Sequence, residues 1–533
     1  MATQWVFSWA IRIEGMSAAH HQPHTSLQQS EADLALLTQL QQAERFLQEG
    51  HFSEARRCYE LILQAHPQQA EALHFLSLIY FQAGNAQAAL QAIDAALVSS
   101  PNYALAHNNK GSMLIELKQP LAALACYEKA IACDSQFALA HFNRGVTLYD
   151  LRKLEQAIES YDRAIALDPQ YAQAHNNRAN TLKELLQVKQ AISGYDKALL
   201  IKPDFAEAHW NRALAYLVLG DYEQGWRGYE SRWQSNELSR AAGKRKLNGA
   251  LWLGQESLQH KIILLHSEQG LGDAIQFSRY AECVAKLGAT VILEVEKPLI
   301  ALFQTLAGVT QIIEKGQPLP PFDFHCPLIS LPLAFETTVN NIPFTQKYLG
   351  VDHTKQILWQ KKLGPKTKLR VGVVWSGGLR PNQPEAWAVN ERRNIPLALL
   401  APLKNEAIDF YSLQKGQPGE SELVALKAAE WHGPNLIDLT AQLHNFADTA
   451  ALIDQLDLII TVDTAIAHLA GALGKPVWIL NRFDTCWRWL LDRNDSPWYD
   501  SVRLFRQAQL GQWEPVIEQV RNQLQQLAAT KSK

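Results

Sequence analysis

Two different hydrophobic rhythms run along this chain. From about Leu36 the apolar positions follow a helical period, and the whole pattern recurs about every 34 residues. Small residues fall at Ala43, Ser77, Gly111, Gly145, Ala179 and Ala213, and again at Ala55, Ala89, Ala123, Ala157, Ala191 and Gly225. A bulky series sits at Tyr59, Ile93, Tyr127, Tyr161, Tyr195 and Tyr229. Pro67, Pro101, Pro169 and Pro203 close successive units, with Ser135 in the remaining slot. Small residues let two helices cross closely, the large rings fill the gap, and proline ends the second helix. The pattern predicts stacked helix pairs. After about residue 260 the rhythm changes. Short apolar runs at Lys261–His266, Val291–Val295, near Ile312 and at Phe322–Cys326 alternate with helical stretches. A second series runs through the strand opening at Leu369, then Ile408–Leu413, Leu436–Leu439, Leu458–Val462 and Val477–Leu480. Alternation of buried strand and helix predicts parallel α/β lobes. Helices are expected from Ala274 to Lys286, Pro298 to Ala307, Ala465 to Leu473 and Trp513 to Leu527, with a break over Leu358–Lys368.

The first rhythm resembles the tetratricopeptide repeat, six copies over residues 36–239. Two columns run in register with it: Asn109, Asn143, Asn177 and Asn211, followed by Lys110, Arg144, Arg178 and Arg212. In repeats of this kind the asparagine position looks into the groove, where an amide suits the backbone of an extended peptide. The column resembles the asparagine ladder of the O-linked N-acetylglucosamine transferase. The alternatives are that the asparagines bridge neighbouring repeats and that the basic column is a solvated flank. The sixth unit departs from the pattern: Trp226, Tyr229, Arg232 and Trp233 suit it to cap the array and dock onto the next domain. The expected organisation is a disordered segment 1–35, repeats 36–239, a linker 240–260, a first lobe 261–365 on the acceptor side, and a second lobe 366–533 on the donor side.

Composition narrows the options. A chain of 533 residues needs several cores. A formal charge of −3 speaks against a nucleic-acid binder that works by bulk charge. Six scattered cysteines without a Cys-x-x-Cys pair suggest reduced thiols in the cytoplasm and no zinc site. No stretch reaches membrane-spanning length. The run Trp5–Ile11 lacks the flanks of a signal peptide, and Met16 is an alternative start.

The chemistry concentrates around LDLIITVDTAIAHLAGALGKPVWIL, Leu456–Leu480. A buried strand ends at Asp463-Thr464 and a helix starts at Ala465. Such a helix start offers unpaired N–H groups and the positive end of the helix dipole to an anion. The plainer alternative is that Asp463 and Thr464 cap the helix and His468 packs on its face. With EQGLGD (Glu268–Asp273), VGVVWSGG (Val371–Gly378), SLQKG (Ser412–Gly416), FADTAALI (Phe446–Ile453), WRW (Trp487–Trp489) and SPWY (Ser496–Tyr499), the ordered set resembles glycosyltransferase family 9, the heptosyltransferase-like enzymes, in the bacterial variety preceded by tetratricopeptide repeats.

That resemblance implies two Rossmann-like lobes in the GT-B arrangement and an inverting transfer of a sugar from a nucleotide-diphosphate sugar. No metal or other cofactor is implied, and no Asp-x-Asp pair of the metal-holding kind stands in the chain. The leaving diphosphate then depends on backbone N–H groups and cations. Ser376, Gly377, Gly378, Lys415, Asp463, Thr464, Ala465 and His468 are the candidates, with Arg392 and Arg393 as bidentate partners or else as solvated loop charges. Asp273 is the expected base, or alternatively a helix cap; Glu268 is the reserve, and Gly270 and Gly272 would let backbone approach the substrate. Trp487 and Trp489 stack on a sugar or base, or pack. The family's lipopolysaccharide enzymes carry no repeats, so the repeats point to a polypeptide acceptor or docking partner. The competing reading is an interaction scaffold with an inactive transferase-like domain; a third is glycan assembly with the repeats recruiting other enzymes.

Overall fold

A computed structural model describes residues 31–234, 247–378, 387–428 and 431–531. Expectations for Met16, the Trp5–Ile11 run and the first part of the linker and of the polar loop from Pro381 lie outside the described residues. The chain divides into two compact units, Met1–Pro203 and Asp204–Lys533.

The first unit is helical, with five helix pairs running from Glu31–Gln48 and Phe52–Ala65 to Ala172–Glu184 and Val188–Ile201. The small and bulky series meet as their spacing predicts. A Cβ on Gly111 would stand 2.7 Å from the Tyr127 ring, and one on Gly145 2.7 Å from the Tyr161 ring. The crossing is therefore as close as the backbone permits.

The two polar columns largely join neighbouring repeats. The Asn109 amide reaches Nε2 of His74 at 2.9 Å, and buried Asn143 donates to Asn108 Oδ1 at 2.9 Å. Asn177 accepts from Asn176 at 3.1 Å. These amides are engaged within the unit, and for Asn109 and Asn143 the bonds bridge neighbouring repeats. Lys110 pairs with Asp94 and Arg178 with Asp162, each sixteen positions back on the preceding repeat, and Arg144 reaches Glu128 and Ser160. The basic column staples repeats rather than flanking them; exposed pairs of this kind contribute about 0–1 kcal/mol each.

The sixth pair, Ala206–Leu219 and Tyr222–Tyr229, belongs to the second unit, and Asn211 is buried there. The rest of that unit holds two parallel sheets. The first contains β1 (Ala250–Leu251), β2 (Ile262–His266), β3 (Thr290–Val295), β4 (Gln311–Glu314) and β5 (Phe324–Pro327), in the order β1-β5-β2-β3-β4. The second contains β6 (Leu369–Val374), β7 (Ile408–Ser412), β8 (Leu436–Asp438), β9 (Leu458–Val462), β10 (Val477–Asn481) and β11 (Val502–Arg506), in the order β11-β10-β9-β6-β7-β8. Every pairing between these strands is parallel. β6 and β9 are buried at every position, as a strand covered on both faces must be. The final helix, Glu514–Lys531, lays Val516, Ile517, Val520 and Leu524 into the core of the second sheet.

Both sheets run outward from a central strand and then return to its other side. The reversal falls between β2 and β5 in the first and between β6 and β9 in the second. Loops leaving the carboxyl ends of strands at such a reversal splay apart and leave a crevice. Glu268–Asp273 comes after β2, Ser376–Gly378 after β6, and Asp463-Thr464 after β9.

Several elements differ from expectation. The helix expected over Ala274–Lys286 is two pieces, Leu271–Phe277 and Tyr280–Lys286. Side chains take its carbonyls at the break: Ser278 and Tyr348 donate to Ile275 O at 2.9 Å, and Arg279 donates to Gln276 O at 2.8 Å. Pro298–Ala307 shrinks to a 3₁₀ turn at Lys297–Leu299 and a single helical turn at Ile300–Phe303. Half of the expected break at Leu358–Lys368 is instead helix, His353–Leu363, capped by Asp352 and stopped by Gly364 at φ 63°. Ala250–Leu251, within the expected linker, joins the first sheet, and β11 joins the second although Arg503 and Arg506 interrupt its apolar run.

Candidate active site

The site is built where the loop after β2 meets the helix after β9. Thr464 sits at the N-cap position with extended backbone, but its hydroxyl makes no capping bond and lies 3.1 Å from Thr461 Oγ1. In the helix Ala465–Ala472 the Ala467 N–H turns back to the Thr464 carbonyl at 3.1 Å, while Ala465 and Ile466 stand at the positions whose N–H groups have no acceptor within a helix. Gly272 lies directly against it. A Cβ at Gly272 would be 3.0 Å from His468 Cδ2 and 3.3 Å from Ala465 Cα. The missing side chain is used for contact between lobes. Gly270 has φ −118°, open to any residue, and donates its N–H to Asp273. Gly272 thus serves the contact between lobes, and Gly270 holds Asp273 through its N–H. The left-handed residue in the loop is Gln269, at φ 61°. Its amide is held 3.1 Å from the Tyr229 hydroxyl of the sixth helix pair.

Asp273 stands at the third helical position rather than at the cap. Its Oδ2 accepts from Gly270 N–H at 2.9 Å, and its Oδ1 forms an ion pair with Arg488. The pair is 16% and 12% exposed on the carboxylate and guanidinium sides. Arg488 also donates through Nε to Gln276 Oε1 at 2.7 Å and lies 4.2 Å over the Trp487 ring. Sequence reasoning singles out Trp487–Trp489 for its rings and misses the arginine between them. The signal available was a cation flanked by two aromatics, which gave no hint of a partner 215 positions away.

Glu268 cannot act as the reserve base. Its carboxylate is 2% exposed and takes Arg232 through two bonds of 2.8 and 3.0 Å. Arg232, 1% exposed, also donates to Ser330 Oγ at 2.7 Å and to Glu230. One guanidinium thus serves two carboxylates, and burial pushes the Glu268 carboxyl up despite the pairing.

On the second lobe the turn after β6 is largely satisfied internally. Gln414 Oε1 accepts from Trp375 N–H and Ser376 N–H at 3.2 and 3.0 Å, and Asn394 Oδ1 accepts from Gly377 N–H at 2.8 Å. The Ser376 and Gly377 N–H groups are thus engaged, which corrects their expected role as diphosphate donors; exposed Gly378 remains. A Cβ on Gly377 would fall 2.2 Å from Arg393 Nη2, so the guanidinium lies across that glycine. Arg393 donates to the Asp463 carbonyl at 2.8 Å, which brings a cation to the reversal between β6 and β9. Arg392 pairs with Asp484 at 2.9 Å, and Lys415 donates to the Leu443 carbonyl, so both cations point elsewhere.

His468 is buried. Its Nδ1 lies 3.0 Å from the Tyr499 hydroxyl and its ring stacks on Trp489 at 5.5 Å. Burial, with Arg488 adding to it, pushes its pKa down to about 4, so the ring is neutral and supplies packing rather than positive charge. Trp489 is buried under it, and Trp487 packs against Trp226 at 5.2 Å and Phe277 at 6.3 Å. Both tryptophans pack. Because the folded ring holds its proton less tightly than the usual 6.5, the unfolded chain takes up the proton first as pH falls. The stabilisation is complete above pH 6.5 and is lost toward pH 4. Urea unfolding at pH 7.5 and pH 4.5 should show wild type losing on the order of 2–3 kcal/mol more than His468→Gln; equal losses would contradict a buried neutral ring.

The structure thus gathers Gly272, Asp273, Asp463, Thr464, Ala465, Gly377, Arg393 and Arg488. It leaves out Glu268, Arg392, Lys415 and the asparagine column.

Residues 40–104, 104–137, 126–159 and 147–185 match tetratricopeptide-repeat families, and residues 412–481 match glycosyltransferase family 9 (heptosyltransferase). Protein FlbA of Caulobacter vibrioides is 31% identical over 338 residues, 59% of this chain and 54% of that protein. The chain spans about half the length of this curated relative. Among solved structures, PilW, a type IV pilus biogenesis factor, is 22% identical with a TM-score of 0.36, covering 39% of this chain and 97% of that one. A MamA structure is 24% identical with a TM-score of 0.29, covering 31% and 96%. No helix among the described residues is long and apolar enough to cross a membrane. Tetratricopeptide-repeat models thus match stretches between residues 40 and 185, and a glycosyltransferase family 9 model matches residues 412–481 of the C-terminal half.

Proposed function

We propose that the second unit is a metal-independent, inverting glycosyltransferase of the GT-B kind, which moves a sugar from a nucleotide-diphosphate sugar to an acceptor. The observation that carries this reading is the docking of the Asp273 loop, through Gly272, onto the start of the helix Ala465–Ala472 at the reversal of the second sheet. The leaving diphosphate rests against the N–H groups of that helix start, with Arg393 beside it as the charge partner. Asp273 takes the proton of the acceptor hydroxyl as the new bond forms. The free cysteines fit a reducing cytoplasm. The repeats are the natural means of bringing a polypeptide, as acceptor or as docking partner, to the enzyme.

The test is release of nucleoside diphosphate from a panel of UDP-, GDP-, ADP- and dTDP-sugars, with and without EDTA. Candidate acceptor polypeptides in the same incubations are weighed by intact mass spectrometry. Release that survives EDTA together with a sugar-sized mass gain supports the reading. Failure of every donor to bind or turn over would favour the interaction scaffold instead.

A further inference from the structure

We propose, building on the transferase reading above, that Arg488 is a second cation for the donor diphosphate and that its ion pair with Asp273 is a resting-state latch which the donor opens. Arg488 comes from the loop after β10 and Asp273 from the loop after β2, so the pair joins the two lobes. The guanidinium is held on three sides. Nε donates to Gln276 Oε1 at 2.7 Å, the plane lies 4.2 Å over Trp487, and Nη1 faces Cys486 Sγ at 3.2 Å. Nη2 is the arm extended to Asp273. A planar fork fixed in this way presents its donors without further ordering cost.

The neighbourhood is the proposed diphosphate seat. Gly272, adjacent to Asp273, touches Ala465 at the helix start, and His468 one turn along that helix stacks on Trp489, adjacent to Arg488. A diphosphate carries more charge than one carboxylate and matches the guanidinium fork. It therefore takes Nη2 from Asp273 on arrival. Asp273 Oδ1 is then free to accept the acceptor's proton. In the transfer step the acceptor oxygen forms its bond to the anomeric carbon, the bond from that carbon to the diphosphate oxygen breaks, and its electron pair leaves with the diphosphate. The proton passes to Asp273 Oδ1. The arrangement makes the base available only once donor is seated, so donor binds before the acceptor is activated.

The test is binding of UDP, GDP, ADP and dTDP, without sugar, to the full chain by calorimetry, using whichever one the wild type holds. Asp273→Asn removes the competing charge and should tighten binding about tenfold, while Arg488→Gln should weaken it at least tenfold, within the usual range of coupling between sites. In the double variant the tightening should vanish. Asp273→Asn that binds no tighter than wild type overturns the latch. Should Arg488→Gln fail to fold, judged by its melting curve, the Asp273→Asn measurement decides alone. A wild type that binds none of the four overturns the transferase reading itself, and so the two failures are distinguishable.

Discussion

Arg232→Met is expected to destabilise the second unit by about 3–5 kcal/mol, the cost of stranding a buried charge. The substitution keeps most of the side-chain volume and removes both bonds to Glu268, which is only 2% exposed to solvent. Ser330 and Glu230 each lose a bond as well, although Ser330 still donates to Glu230 at 2.8 Å. Tryptophan fluorescence isolates the effect, because all the tryptophans except Trp5 and Trp9 lie in Asp204–Lys533. Urea unfolding followed by that signal should shift to lower midpoint, and Arg232→Met with Glu268→Leu should recover most of the loss, since an apolar pair is often as stable as a buried ion pair. A single variant as stable as wild type would mean that water reaches the cluster. The consequence extends to the site. Arg232 and Tyr229 hold Glu268 and Gln269, and that loop delivers Asp273, so the end of the last helix pair is part of the framework of the proposed site.

Asp273→Asn is expected to lower sugar transfer by about 10²–10⁴-fold, the usual contribution of a positioned general base. The amide is nearly the same size and can still accept from Gly270 N–H through its oxygen, while its NH2 then faces Arg488 in place of the second carboxylate oxygen. Because Arg488 loses its ionic partner, the melting temperature should fall; loss of turnover measured well below that lowered midpoint assigns the effect to chemistry. Transfer within a few-fold of wild type would remove Asp273 as the base. No other carboxylate of the same loop could replace it, since Glu268 is bound to Arg232.

Much of the architecture was legible in the residues. The alternation of small and large positions is a local packing rule repeated along one axis, and Gly145 facing Tyr161 is its direct result. β6 and β9 were legible because a strand buried on both faces has to be apolar throughout. β1, of two residues, and the helix His353–Leu363, which leaves Ile357 and Leu358 exposed, carry no such pattern. The site was legible as loops, since Asp273, Thr464 and Gly377 each come after a strand. Its partnerships were not. Glu268 and Asp273 look alike in sequence, yet one is locked to Arg232 and the other meets Arg488.

By itself the sequence determined the helix pairs, the parallel strands and which loops leave their carboxyl ends, because each depends on periodicity within a few residues. Tertiary structure alone decided which charges are engaged. Ion pairs here join residues 36 and 215 positions apart, and burial sets whether His468 carries a charge. Electrostatic interactions depend on distance and solvent in space, and neither quantity is encoded in separation along the chain.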